Sequence, residues 1–542
     1  MKTRILLLLL VLHGLTQAQW TTDTLINTLI SSYTNGAVSK VVPTTDHHYY
    51  VSYYGSMYNG YHMNLQLLNY EGNNLWAENG ITVSSHPQDS WITEYDLGAD
   101  KENNAILAFP DVRSGNPDIY AYKINPEGEF LWGNNGIALS QSPEAEYSPQ
   151  LCVLSDNAVI ITWAVNETLR VQKILPDGTL AWGLAGLTIT EPGKTWGWPV
   201  AIPHSDGGFY LAYFKQTGSF PAMQRQIFVN RYAADGSALW AQEVEICGFT
   251  GITAWDQMNA RPDGNDGIML FWRDDRDGDM LADVAVQKVD EEGILAYIPN
   301  GVELASDELN CFYPVASCLA NGAVVAFFTK TDGSQNYRGL FAQKLDPYGD
   351  KLWGANGKEL LPLSTTFNYS IAAQTADDKL FCLYSRYPEG LAINDQLLIY
   401  GLNDKGAALW DSPLMLAAGT YDKVHPWLSE VHENQFITSW ERGTDGLVTA
   451  QNFSIYGGTG VLSVANPAPV SNGKLIRISK DFIVSNGKSI SSLRFFDSSG
   501  KLISQVSHPR QTESFPSGYR GVLFIVATNP DGLQQTIKTI RE

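Results

Sequence analysis

One phrase recurs along the chain every 50 to 58 residues, and nothing else in the sequence limits the fold so strongly. The phrase is a strand-like run ending in Gln-Lys-apolar, a polar turn with glycine, then Leu-Trp and a second glycine. It reads LLNYEGNNLWAENG around Gly72, YKINPEGEFLWGNNG around Gly128 and VQKILPDGTLAWGLAG around Gly178. Further copies surround Gly236, Gly293, Gly349 and Gly406. Between the copies lies a second phrase, a Gly/Asp/Asn turn followed by an apolar run that ends in an aromatic. Its eight copies close near Tyr54, Phe109, Trp163, Phe214, Trp272, Phe328, Tyr384 and Trp440. Short runs rich in β-branched and aromatic residues between turn formers read as strands, and no sustained 3.6-residue period suggests a helix. About four short strands per unit match the antiparallel blade of a propeller. The unit is longer than a WD40 or kelch repeat, so neither family is implied.

The ends choose between a ring and an open stack. The eighth copy stops at LVTAQNFS around Gln451 without its Leu-Trp half, and Gln19-Trp20 followed by TLINTLISS resembles that missing half. The aromatic series then runs Trp20, Trp76, Trp132, Trp182, Trp240, Tyr297, Trp353 and Trp410. Complementary halves are what a ring needs if its N-terminal strand completes the last blade, which hides the edge strands. The expectation is an all-β chain: an eight-bladed β-propeller over 19–456, or seven blades if one repeat has been over-split, followed by a small C-terminal β-sandwich.

Residues 1–18 read as a signal peptide. Lys2 and Arg4 precede the apolar run Ile5 to Leu12, and Thr16-Gln17-Ala18 supplies small residues for cleavage. That run is too short for a bilayer span, and no later stretch approaches the length required, so no transmembrane segment is expected. The net charge of −21 is uneven: residues 461–542 hold ten Lys and Arg against five Asp and Glu, whereas residues 19–460 carry −28. An acidic body repels phosphate backbones and argues against a nucleic-acid partner. The sign change places a boundary near Gly460, with residues 457–460 as linker. The five cysteines form no CxxC or Cys/His metal pattern; Cys152 and Cys382 read as buried, and Cys311 with Cys318 is the one pair considered for a disulfide across a loop.

Beyond Gly460 the phrase is absent, and short alternating strands are separated by Asn-Gly, Ser-Gly and Asp-Gly turns, a β-sandwich pattern. Asn466-Pro467 opens this segment. Phe496, Asp497, Gly500 and Lys501 form a Phe-Asp-x-x-Gly-Lys turn, and Gly521 to Val526 and Lys538-Thr539-Ile540 close the chain. These residues resemble the C-terminal sorting domain of type IX secretion, with one departure: Leu523-Phe524 stands where that family usually has Gly-Tyr. The resemblance covers residues 461–542 and implies export to the periplasm, then delivery by the type IX machinery to the outer-membrane surface or the medium.

Three features are candidates for chemistry. The Gly-x-x-Leu-Trp phrase resembles a loose Asp-box, but its presence in every unit fits an aromatic wedge between blades better than a single site. Asp275, Asp277, Asp279 and Asp283 surround a glycine turn and offer hard oxygens to Ca²⁺, although the spacing is not an EF-hand. The alternative is structural: Asp274 with Arg276, Asp111 with Arg113, and Glu441-Arg442 read as acid–arginine pairs bracing loops. Third, aromatics precede each presumed inner strand: Trp91, Tyr147, Trp196 and Trp198, Trp255, Phe312 and Tyr313, Tyr369, and His425 and Trp427. Small residues follow them, as at Ala201, Ala260, Ala316, Ala372 and Ala373, which suits strands crowded at a channel. Trp91, Tyr147, Trp198, Trp255, Tyr313, Tyr369 and Trp427 would then ring a channel mouth able to stack on sugars, or pack between blades. No GxSxG, HExxH or Walker pattern is present, and no sialidase-type arginine triad can be assigned, so no catalytic residue is named. The favoured expectation is a cell-surface or secreted binding or scaffold module, needing no cofactor, with extracellular polysaccharide or protein as partner. The alternative is a glycan-active hydrolase or lyase of propeller fold.

Overall fold

A computed structural model describes residues 20–542 except 34, 58–59, 89–93, 141, 250, 392, 461–475, 479–481, 486–489, 498–500, 508, 511, 517–518, 529–533 and 542. The signal-peptide residues, Trp91, Asn466, Pro467 and Gly500 lie outside the described residues. The described chain contains strands and turns but no helix. Nothing in it is a helix long and apolar enough to cross a membrane. It divides into two units, Met1–Val461 and Leu462–Glu542.

Unit one is propeller-like. Its described strands form eight four-stranded antiparallel sheets, seven built from consecutive strands. The first holds Ala37–Pro43, His48–Met57, Gly60–Asn69 and Ile81–Gln88. The first strands of the next six sheets are Asp96–Ala99, Tyr147–Val153, Thr195–Pro203, Asn259–Pro262, Asn310–Cys318 and Phe367–Ala376. The eighth sheet is composite. Lys423–Leu428, Gln435–Arg442 and Val448–Ser454 are joined by Thr28–Ser31, with Thr28 opposite Ala450.

Each phrase of the repeat has a mechanical role. A buried glutamine in the third strand, followed by lysine at Gln172 and Gln343 but not at Gln66 or Gln451, ties its own strand to the segment after the next aromatic. Gln66 donates to the Ala77 carbonyl at 2.9 Å, Gln172 to Gly183 at 2.7 Å and Gln343 to Gly354 at 2.7 Å. Gln451 makes the same bond across the chain ends, donating to the Thr21 carbonyl at 2.9 Å. The aromatic that follows leans on the turn glycine of the next sheet. A Cβ on Gly72, at φ +84°, would lie 2.5 Å from Trp20; one on Gly457, at φ +92°, would lie 2.6 Å from Trp410. Indole N–H groups complete the contact, from Trp20 to the Tyr70 carbonyl at 2.8 Å and from Trp76 to Pro126 at 2.9 Å.

Burial follows the same step. Eight hydrophobic clusters among the described residues of this unit are each shared by two consecutive sheets. The cluster between the eighth and first sheets contains Trp20, Ile30, Val41, Tyr49, Ile437 and Val448. Each sheet is apolar on both faces because it packs against a neighbour on each side, which is why the second strands read as unbroken apolar runs. First strands of neighbouring sheets lie alongside one another, including that of the eighth beside the first; the sixth packs on the second and third strands of the fifth.

All five cysteines are unpaired. The Cys311–Cys318 disulfide is thereby excluded. Both residues lie on one strand, Asn310–Cys318, whose rise separates them by about 23 Å, far beyond disulfide reach.

Unit two holds a three-stranded sheet of Ile476–Ile478, Phe482–Ser485 and Thr512–Ser514. It also holds a four-stranded sheet of Leu502–Ser507, Ser492–Phe496, Gly521–Thr528 and Gln534–Arg541. Ile476 and Ile483 of the first share a buried cluster with Leu493, Phe495, Leu523 and Ile525 of the second. Asp497, in the Phe-Asp-x-x-Gly-Lys turn, accepts the Lys501 amide at 3.0 Å.

Candidate functional site

The first strand of six sheets is interrupted by a bulge at the same place. Pairing skips between Ala37 and Lys40, Tyr147 and Gln150, Gly197 and Val200, Phe312 and Val315, Ser370 and Ala372, and Val424 and Trp427. In five of them the bulged residue has a left-handed backbone: Val38 at φ 52°, Ser148 at 51°, Trp198 at 51°, Tyr313 at 50° and His425 at 45°. Side chains other than glycine adopt this region at a cost of about 1–3 kcal/mol, and bulges re-aim the side chains they carry. In four cases proline follows directly, at Pro149, Pro199, Pro314 and Pro426. A proline lacks the N–H that a ladder requires, so an x-Pro pair repeating one or two units apart was a readable signal of this bulge.

The bulges place the candidate aromatics at one end of the first strands but not at equivalent positions. Tyr147 precedes the bulge, Trp198 and Tyr313 lie in it, and Trp427 follows it. Tyr369 lies just before the irregularity in the seventh sheet, and Trp255 lies in the loop preceding Asn259–Pro262. Tyr147, Trp255, Tyr313 and Trp427 are exposed, by 42%, 74%, 53% and 39%. Trp198 and Tyr369 are half-buried, Trp198 against the cluster between the fourth and fifth sheets. Tyr313 and Tyr369 meet edge to face at 4.8 Å, with the Arg338 guanidinium 4.6 Å from the Tyr369 ring. Trp255 meets Phe220 edge to face at 4.9 Å. Tyr147 and Trp198 line a recess of about 170 Å³. Trp427 donates its indole N–H to the Val41 carbonyl at 3.2 Å and lies 4.7 Å beneath the Lys40 ammonium. Lys40 reaches Asp96 on the next first strand at 3.2 Å, and Asp96 accepts the Leu151 amide of the one after at 2.9 Å. Farther along, Arg261 of the fifth sheet donates to the Ala373 carbonyl of the seventh at 2.9 Å, bridging two non-adjacent first strands.

A second recess at the same strand ends, about 230 Å³, is bordered by Tyr61, His425, Glu441 and Arg442. Glu441 is buried, accepts the Ser39 amide at 2.8 Å and stands 3.3 Å from His425 Nδ1. Burial raises its pKa above the ordinary carboxylate value, partly offset by the hydrogen bond to His425. Glu441 and Arg442 do not form the acid–arginine brace that their adjacency suggests: Arg442 pairs with Asp445 at 2.8 Å and Glu441 with His425. The brace does hold elsewhere. Arg276 clasps Asp274 with two bonds of 2.8 Å, and Arg113 clasps Asp111.

The acidic loop is gathered in part. Carboxylates of Asp275, Asp277 and Asp279 approach within 4.8 Å of one another, and Asp283 is not among them. Each of the three accepts an amide of its own loop, from Gly278, Asp279 and Leu281 respectively. Asp283 is buried in the strand opposite Asp274. Burial first, then the nearby Glu303, Asp277, Asp274 and Asp279, raise its pKa to about 7.

No family model matches the chain, and no curated relative does. Similar solved structures include a polysaccharide lyase, Uly1, at 10% identity and TM-score 0.42, covering 79% of this chain and 91% of that one. An alpha-L-arabinanase from Penicillium chrysogenum complexed with arabinobiose matches at 13% identity and TM-score 0.32, covering 58% and 96%. The β-propeller domain of the Trilobed protease from Pyrococcus furiosus matches at 10% identity and TM-score 0.37, covering 71% and 98%.

Proposed function

We propose that this chain is an exported, non-enzymatic binding module: an eight-bladed propeller closed by its N-terminal strand, with a small sandwich as its type IX sorting domain, that holds extracellular polysaccharide across the bulged end of its first strands. The observation that carries the binding reading is Tyr313. Its ring is half exposed on a strained, left-handed backbone, beside Tyr369 and two guanidinium groups, those of Arg338 over Tyr369 and Arg273 over Phe312. A side chain that only filled space between sheets would be buried, as Trp198 is in part at the equivalent bulge, whereas the Tyr313 ring is 53% exposed. The ring reading rests on the Trp20, Gln451 and Thr28 contacts, which repeat across the chain ends what other units do internally. The sorting reading rests on the ordered tail motifs alone.

A glycan array followed by affinity measurement tests the binding. Tyr313→Ala and Trp255→Ala are each expected to weaken binding by roughly tenfold or less, since a stacking ring contributes about 1 kcal/mol, with Tm little changed. Wild-type affinity in both variants would remove the platform. A second reading has its own observation: buried Glu441 against His425, beside Tyr61 and Arg442, is a proton-transfer pair of the kind a glycan hydrolase or lyase uses. Release of reducing or unsaturated ends by the wild type, lost in Glu441→Gln, would favour it over a pure binder.

A further inference from the structure

At the other end of the first strands, the turn Thr44–His48 of the first sheet meets the turn Ser429–Gln435 of the eighth. His47 Nδ1 lies 3.4 Å from His432 Nε2 and 2.9 Å from a Glu433 carboxylate oxygen. The three ligand atoms fall within 4.8 Å of one another. We propose that His47, His432 and Glu433 form a binding site for a divalent transition-metal ion of the zinc class, which clamps the eighth sheet to the first.

Four observations carry this. The nitrogen–nitrogen separation is long for a hydrogen bond, yet equals the edge of about 3.3–3.4 Å expected for two imidazoles bound tetrahedrally at 2.0–2.1 Å from zinc. In the neutral tautomers that leave His47 Nδ1 and His432 Nε2 unprotonated, both nitrogen lone pairs and a Glu433 carboxylate oxygen are open to one ion. The turn that carries Glu433 is tied to the first sheet, its carbonyl accepting the Tyr70 hydroxyl at 3.1 Å. Finally, the two imidazoles come from residues 385 apart in sequence, at the meeting of the two chain ends, in a protein whose cysteines supply no disulfide. Two nitrogens and one carboxylate suit zinc, nickel or copper rather than calcium. With His47 and Glu433 half exposed, an ion has access and a water can complete the coordination.

The site is distinct from the bulged end and from the acidic loop, so it stands whether or not the protein binds a glycan. The test is zinc titration by calorimetry on the full-length chain after chelator treatment, with excess Ca²⁺ present to occupy all-oxygen sites, alongside melting curves. One zinc per chain and a Tm that rises with zinc concentration are expected. His432→Ala and His47→Asn should each weaken binding by at least roughly tenfold, on the scale of lost metal partners, and remove the Tm response. Asparagine tolerates the left-handed backbone of position 47, at φ 69°, so His47→Asn keeps the test valid should His432→Ala fail to fold. No zinc binding, or equal binding in His47→Asn, would overturn the site. Binding without a rise in Tm would overturn the clamp.

Discussion

Replacing Trp20 with alanine probes the meeting of the chain ends quantitatively. Trp20 is buried, packs in the cluster shared by the eighth and first sheets, and donates to the Tyr70 carbonyl at 2.8 Å. Removing a buried tryptophan costs about 3–5 kcal/mol, and leaving the carbonyl without its donor adds about 1 kcal/mol. Trp132→Ala is the matched control. Trp132 is also buried, lies in the cluster between the second and third sheets, and donates to the Pro176 carbonyl at 3.2 Å. If the ends meet as any two internal units do, both variants lose about the same stability. Urea unfolding followed by far-UV circular dichroism gives the comparison, because removing an indole alters fluorescence by itself. Repeat arrays can unfold in parts, so hydrogen exchange at Thr28–Ser31 and Val448–Ser454 provides a local measure. Protection at these strands should fall in Trp20→Ala and persist in Trp132→Ala. A Trp20→Ala cost below about 1 kcal/mol, beside a full cost for Trp132→Ala, would refute the closed ring.

Three further outcomes are expected. Asp283 carries a carboxyl pKa raised to about 7, so the folded state binds more protons than the unfolded state between about pH 4 and 7, and its contribution to stability is lost as pH rises through that window. Asp283→Asn should therefore stabilise increasingly from pH 4 to 7 and level off above, by a few kcal/mol at about 1.4 kcal/mol per pKa unit; a pH-independent difference between melting curves would contradict the burial of this charge. Calcium should act on the loop of Asp275, Asp277 and Asp279 only at roughly 0.1–1 mM, the range of weak extracellular sites, with the response lost in Asp277→Asn; a response that survives that change places the ion elsewhere. Removing residues 461–542 should leave the body in the periplasm with its melting transition intact, and normal surface delivery of the truncated chain, seen by fractionation, would defeat the sorting reading.

How much was legible in the sequence depended on range. Strands, turns and repeat period are local, written in apolar runs and turn glycines, so the four-stranded antiparallel sheets followed from the text. So did the partnership of the ends, because the half-phrases at Trp20 and Gln451 carry the same residues as the internal copies. The recurrence of aromatics is legible in the sequence, but Tyr147, Trp198, Tyr313, Tyr369 and Trp427 lie within the first strands rather than before them, at inequivalent places around the bulge. That geometry depends on a bulge with a left-handed residue, such as Trp198 or Tyr313, which proline follows at four of the five positions but not at Val38.

Tertiary structure alone decided the rest. Cys311 and Cys318 look close in sequence, yet an extended strand keeps them apart. Glu441 reads as the partner of the adjacent Arg442, but the bulge at His425 turns an imidazole to it instead, and Arg442 is left to Asp445. His47 and His432 carry no shared motif, because contacts between the first and last units are made by the step from sheet to sheet and leave no pattern in either segment. A repeat is encoded by what each unit does alike; sites arise where units differ, and only the folded chain brings those differences together.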